Sequence, residues 1–114
     1  MKAKDIGNLG ESMACEFLKN KGYDIICRNF LKPYGEIDII AKDKNFLVFI
    51  EVKARKNSNF GYPREFVNNK KIKKIQEVAQ MYMLENNITN TAFRFDVIEI
   101  LFKTNSITHL ENAF

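Results

Sequence analysis

Two short stretches of this sequence put ionisable side chains where a β-strand ordinarily puts apolar ones. In Phe49-Ile-Glu-Val-Lys53, Glu51 and Lys53 stand two apart, so on a strand they share a face while Ile50 and Val52 take the other. In Glu36-Ile-Asp-Ile-Ile-Ala41, Glu36 and Asp38 fall on one face and Ile37 and Ile39 on the opposite one. The polar group Lys42 to Asn45 between them predicts a hairpin. A loop centred on Lys44 and Asn45 pairs positions whose numbers sum to 89, which sets Asp38 across from Glu51. Opposed residues have Cβ atoms roughly 4.5–5.5 Å apart, so two carboxylates there repel unless positive charge lies between them. A divalent cation meets that need. Hard oxygen donors suit Mg²⁺ or Mn²⁺, which makes Asp38 and Glu51 the expected metal ligands. A slip of one residue in the register would send Asp38 to the wrong face.

Lys53 beside such a metal is placed to orient an attacking water or to offset charge developing on a phosphate. Glu11, at the border of the first helix's apolar stripe beyond Ala14 and near Leu18, reaches the same site from another element and would hold a water there. Lys71 interrupts the apolar stripe Val67, Ile75, Val78 and Tyr82 of a second helix, and a lysine on a core face needs a partner. The carboxylates or a bound phosphate would serve. Lys70, Lys73 and Lys74 point away from that stripe, and Arg55, Lys56 and Arg64 lie in a loop interleaved with Phe60 and Tyr62.

Each of these residues has a plainer reading. Asp38, Glu51 and Lys53 would form a structural salt-bridge network in many proteins. Burying three or four ionisable groups in the best strands of a small domain costs several kcal/mol per ion, however, which favours function. Glu36 also fits a partly exposed acid at the start of a strand, and the outward lysines and basic loop fit a solvated surface as well as a phosphate track. Lys71 would otherwise snorkel to water. Asp96, in Phe93-Arg-Phe-Asp-Val97, is either second-shell support for the site or a partner for Arg94. His109 is the single histidine and stands near the C-terminus, away from the expected chemistry.

The elements that must position these residues follow from hydrophobic spacing. Ile6, Leu9, Met13 and Phe17 recur every three or four residues and predict a helix from Ile6 to Lys21, with Asp5 as its cap, Gly10 allowing close approach of another element and Gly22 ending it. Tyr23–Asn29 reads as a strand, Phe30–Gly35 as a turn, Glu36–Ala41 and Phe46–Lys53 as paired strands, and Ala54–Arg64 as a loop. A helix follows from about Phe66 to Glu85, then a strand from Ala92 to Leu101 and a short one from Ser106 to Leu110. The order predicts one mixed α/β domain, residues 1–114, with helices packed on a central sheet.

Composition sets the bounds. A chain of 114 residues suits one core, and its 46% apolar and 28% charged content points to neither disorder nor a membrane protein. The net charge of +4 favours an anionic partner without demanding one. Cys15 and Cys27 are too few for a zinc knuckle or disulfide framework and read as small apolar residues in a reducing compartment. No apolar signal segment follows Met1 and no run approaches the ~18 residues of a membrane span, so a cytoplasmic protein is expected.

The acid from a helix, the Asp on one strand and the Glu-x-Lys on the next resemble the PD-(D/E)xK nuclease signature, with Ile37 in place of its proline. More closely, the chain resembles the YraN-like family of bacterial proteins (uncharacterised protein family 0102), distantly similar to archaeal Holliday junction resolvases. The likeness covers nearly the whole length: Gly10-Glu11 with Ala14, Gly35 to Ala41, Phe49 to Lys53 with Arg55, Gly61 with Pro63, Lys71 with Ala79, and Arg94 to Val97. Asn69 stands where proline is frequent in the family and Ala54 where a hydroxyl residue is common. The resemblance implies a restriction-endonuclease-like fold.

The expectation is a Mg²⁺- or Mn²⁺-dependent endonuclease that cleaves phosphodiester bonds, with DNA, including branched DNA, as the expected partner. A homodimer would suit a junction's two-fold symmetry. A nucleic-acid-binding module that has kept the fold without cutting, and a protein-interaction domain, are the competing classes. The first binds DNA without cleavage in Mg²⁺ or Mn²⁺, and the second shows no salt-dependent DNA affinity.

Overall fold

A computed structural model describes residues 3–56 and 68–114. The elements run α1 (Ala3–Asn20), β1 (Asp24–Lys32), β2 (Gly35–Asp43), β3 (Phe46–Arg55), α2 (Asn69–Glu85), β4 (Phe93–Leu101) and β5 (Ser106–Leu110). The strands form one mixed sheet in the order β1-β2-β3-β4-β5, antiparallel except for β3 and β4, which are parallel because α2 carries the chain across between them. The helices cover opposite faces. Ala14 and Leu18 of α1 pack with Ile39, Ala41, Val48, Ile50, Ile98 and Ile100, whereas Ile75, Val78 and Tyr82 of α2 pack with Ile37, Ile40, Leu47, Phe49 and Phe95. The fold is thus a three-layer α/β domain of the restriction-endonuclease-like class.

The β2–β3 hairpin has the expected register. Its turn is Lys44-Asn45, with Lys44 at φ 55°, and pairing runs from Asp43–Phe46 to Ile39–Ile50. There it stops, one step short of Asp38 and Glu51. Beyond that point β2 remains with β1 as far as Gly35–Lys32, while β3 remains with β4 as far as Arg55–Leu101, so a cleft opens between the two central strands.

Several boundaries and faces differ from the sequence expectation. β1 continues through Phe30 to Lys32, leaving only Pro33-Tyr34 as the turn, and Ala54 and Arg55 belong to β3 rather than to a loop. Asp5 lies inside the first turn of α1, where its charge suits the helix dipole, and does not cap it. The expected start of α2 at Phe66, together with Val67 of its stripe, lies outside the described residues; within them Asn68 caps the helix by accepting the Lys71 N–H.

Ile37 and Ile39 face different cores, so strict alternation fails between them. The cause sits across the ladder. Asn29, at φ 53°, falls between the pairs Arg28–Ile39 and Phe30–Ile37, and asparagine is among the few residues that accept this left-handed conformation. The left-handed residue of β1 and the turn of faces in β2 therefore occur at the same level, beside Asp38.

The buried face of α1 also differs from the expected stripe. Leu9 is exposed and Ile6 only half-buried, while Ala14 and Leu18 are fully buried. Small residues govern the choice. A Cβ on Gly10 would stand 2.5 Å from the Ala54 Cβ, so the narrow face of the helix, Gly10 and Ala14, lies against β3. That close approach brings Glu11 to the rim of the cleft.

Candidate catalytic and metal-binding cleft

Where β2 and β3 part, a cavity of about 570 Å³ opens, lined by Ile6, Gly7 and Glu11 of α1, Glu36 and Asp38 of β2, Val52 to Arg55 with Glu51 of β3, and Lys56 and Lys71. Glu11, Asp38, Glu51 and Lys53 therefore converge as expected. The parting of the strands has a chemical basis: Asp38 Oδ2 accepts the Val52 N–H at 2.8 Å, so a side chain takes a donor that a continuing ladder would otherwise use.

Glu51 is almost wholly buried, at 6% side-chain exposure, yet it is heavily compensated. Its Oε1 lies 2.8 Å from Lys71 Nζ and 3.1 Å from Lys53 Nζ. Lys53 and Glu51 meet because they share a strand face, as the two-residue spacing predicts. Lys71 finds its partner among the carboxylates, which settles how a lysine sits on the inward side of α2.

Two of the acids, Asp38 and Glu11, hold their protons more tightly than usual. Asp38 is pushed up to about 7, first by burial and then by the neighbouring Glu51 charge, against the opposing Val52 N–H. Burial also raises Glu11, although Arg28, 3.9 Å from its Oε1, and a hydrogen bond from Asn29 work against the rise. The lysines diverge. Burial and the adjacent Lys71 lower Lys53, whereas for Lys71 burial works downward but the hydrogen bonds to Glu51 and Lys53 and the nearby carboxylate charges together outweigh it and leave its affinity for the proton above that of an ordinary lysine.

The donor set fits a divalent cation. Among the described residues no group of three or more His, Cys, Asp or Glu side chains is arranged to hold a metal ion by itself. Asp38 and Glu51 nevertheless offer hard oxygens in one cleft, and one or two carboxylates completed by water and substrate phosphate is the usual way to hold Mg²⁺. The buried Glu11 Oε1 lacks a hydrogen-bond partner in the same cleft, as an atom awaiting a donor would.

Arg55 and Lys56 line the cleft, and Glu36 lies on its wall; Arg64 lies outside the described residues, as does the aromatic part of the basic loop. Asp96 does not line this cleft and supports none of its residues through the contacts it makes. It faces the α1 side in register with Ile50, fully buried, and its carboxylate binds Arg94 Nε at 3.1 Å, His109 Nε2 at 2.7 Å and the Asn112 N–H at 2.9 Å. Arg94 in turn reaches Tyr23, Asp43 and Glu111. The network fastens β5 and the C-terminal residues to β4, and His109 belongs to it.

Sequence reasoning passed over three neighbours. Glu99, buried in Val97-Ile98-Glu99-Ile100-Leu101, is the register partner of Lys53. An acid in an apolar run was the available signal. Arg28 and Asn29 stand beside Glu11 through a long-range strand contact that no local pattern announces.

A restriction-endonuclease-like sheet with acids and lysines gathered at its central fork defines the class of this molecule. Residues 10–100 match the uncharacterised protein family UPF0102, and the chain belongs to that family. It is 51% identical over 116 aligned residues to a UPF0102 protein of Clostridium botulinum strain 657, covering 97% of this chain and 94% of that protein. A UPF0102 protein of Clostridioides difficile strain 630 is 47% identical over the full length of both. One from Persephonella marina is 44% identical, covering 95% of this chain and 91% of its own.

Proposed function

We propose that this chain is a metal-dependent hydrolase of phosphodiester bonds in nucleic acid, with an endonuclease-like action. One observation carries the reading: Asp38 and Glu51, from two strands that separate, face one cleft together with Lys53 and Glu11. Asp38 and Glu51 would hold Mg²⁺ or Mn²⁺, and the chemistry such an ion supplies when bound is Lewis-acid, easing the ionisation of water and neutralising phosphoryl charge. Lys53, whose affinity for the proton is reduced, orients the attacking water or a phosphate oxygen. Glu11 would hold a water from the α1 side through its Oε1, which accepts no hydrogen bond from the protein. Arg55, Lys56 and Lys71 give the cleft the positive wall that a phosphate backbone requires. DNA is the proposed partner, and no helix of the described chain is long and apolar enough to cross a membrane.

The test is a cleavage screen of branched, flapped, single-stranded and duplex substrates in Mg²⁺ and Mn²⁺, beside the Asp38→Asn protein. Metal-dependent cutting that disappears in Asp38→Asn supports the assignment, and full activity in that variant refutes it. A second reading, a nucleic-acid-binding module that does not cut, is favoured by the two lysines already compensating Glu51. Its mark is salt-dependent binding of branched or single-stranded DNA with no cleavage in either ion.

A further inference from the structure

A second cavity, of about 420 Å³, adjoins the first. Gly35, Glu36 and Glu51 form one side and Lys70, Lys71 and Lys74 of α2 the other. Glu51 and Lys71 therefore line both cavities, so the Glu51–Lys71 ion pair stands between them. Lys70 and Lys74 are exposed, and the acids facing them across the second cavity are Glu36 and Glu51, the latter already paired.

Glu51 Oε1 already accepts from two ammonium groups, so a divalent cation at this carboxylate must compete with them. The two competitors differ in freedom. Lys53 sits on a central strand with 19% side-chain exposure, and Lys71 on the first turn of a helix with 38%. A lysine carries three donors on a flexible four-carbon stem, which lets Lys71 leave Glu51 for the second cavity without moving the helix. There it would stand with Lys70 and Lys74. Three ammonium groups on one wall outweigh Glu36 and make a site for a backbone phosphate.

Granting that Asp38 and Glu51 hold a divalent cation, we propose that Lys71 is its placeholder: it neutralises Glu51 in the free protein and moves to a phosphate in the second cavity when the metal enters. Metal and nucleic acid then strengthen each other's binding, because whatever draws Lys71 away from Glu51 vacates the oxygen that the metal uses. By linkage the effect is equal in both directions. The free protein is a poor metal binder, and the ion enters with substrate.

Mn²⁺ affinity of the full chain, measured by titration calorimetry without nucleic acid, tests this directly. Lys71→Met should bind Mn²⁺ about tenfold more tightly than wild type, a coupling of ordinary allosteric size. Lys71→Arg, which keeps the charge, should stay near wild type. A duplex with phosphorothioate linkages should tighten Mn²⁺ binding by wild type and leave Lys71→Met unchanged. Equal or weaker Mn²⁺ affinity in Lys71→Met overturns the placeholder role while the metal site stands. Absence of Mn²⁺ binding in both proteins, or binding indifferent to Asp38→Asn, removes the metal site itself and this role with it.

Discussion

Asp38 Oδ2 accepts the backbone N–H of Val52 at 2.8 Å, and at that level the two central strands cease to pair. One side chain thus does two things: it stands in for a ladder partner and it presents a carboxylate to the cleft. The bond favours the charged form, but burial and the Glu51 charge together outweigh it and push Asp38 up to about 7.

That balance predicts a gain of stability from Asp38→Asn. The folded-state value lies above the ~3.9 of an unfolded aspartate, so the contribution of Asp38 is fully present below about pH 4 and is lost as pH rises through about 7. Asparagine removes the cost of ionisation and keeps an oxygen for the Val52 N–H. In EDTA at pH 8, Asp38→Asn should therefore be more stable than wild type by on the order of 2 kcal/mol, and at pH 4 by much less. Urea unfolding at the two pH values measures the difference. A gap of the same size at both would detach it from ionisation of Asp38.

Gly10 gives a second prediction, about the contact that delivers Glu11. A Cβ there would meet the Ala54 Cβ at 2.5 Å, too close without displacing α1 from β3. Alanine favours a helix by about 1 kcal/mol over glycine, but overpacking costs roughly 1–3 kcal/mol and the contact at Gly10 is a severe one, so Gly10→Ala should destabilise by up to about 2 kcal/mol. Adding Ala54→Gly removes the clashing methyl and should recover part of the loss, a non-additivity visible in a double-mutant cycle. Strict additivity would mean that the two residues do not meet.

These contacts show what the sequence could convey. The β2–β3 hairpin was legible because alternation, a polar turn and a fixed sum of positions all concern neighbours in the chain. The failure of alternation between Ile37 and Ile39 was not, because its cause, the left-handed Asn29, lies on a different strand. Large apolar residues drew the α1 stripe toward Leu9, whereas the closeness permitted by Gly10 and Ala14 chose the buried face. Asp96 looked like a candidate for the cleft from its apolar surroundings alone. The alternative reading, a pairing with Arg94 two residues away on the same strand, is the one observed, whereas its bonds to His109 and Asn112 depend on the return of β5 along β4. Glu99 carried the same signal as Glu51 and lacked only the charged neighbour two residues on that drew notice to Lys53.

The Asp96 network supplies a pH dependence of opposite sign. Burial raises its proton affinity, but the hydrogen bonds from His109, the Asn112 N–H and Arg94 outweigh burial and leave Asp96 below the usual carboxylate range. Its contribution is therefore present above the unfolded ~3.9 and is lost as pH falls through the lower folded value. Asp96→Asn should cost roughly 2 kcal/mol at pH 7, since Arg94 loses the most deeply buried of its three carboxylate partners and keeps only Asp43 and Glu111, and should flatten the acid limb of the stability curve. DNA affinity should not change, because Asp96 faces away from the cleft. Unfolding from pH 7 down to pH 2, with DNA binding measured in parallel, checks both halves.

Salt dependence separates a phosphate track from a solvated basic surface. Lys56 lines the first cavity and Lys74 the second, so a strand passing from one to the other meets both. Each phosphate neutralised in duplex DNA adds about 0.9 to the slope of log affinity against log salt, and about 0.7 in a single strand. Lys56→Gln and Lys74→Gln should each lower the slope by roughly that amount, and the double variant by twice as much, with Ca²⁺ present to allow binding without turnover. Lys44, in the two-residue turn at the far end of the β2–β3 hairpin, is the control. Lys44→Gln also removes one charge, so an equal loss of slope there would assign the effect to net charge and leave the two cavities with no special part in it. A loss confined to Lys56 and Lys74 would instead run the backbone through both cavities, past the Glu51–Lys71 pair that stands between them.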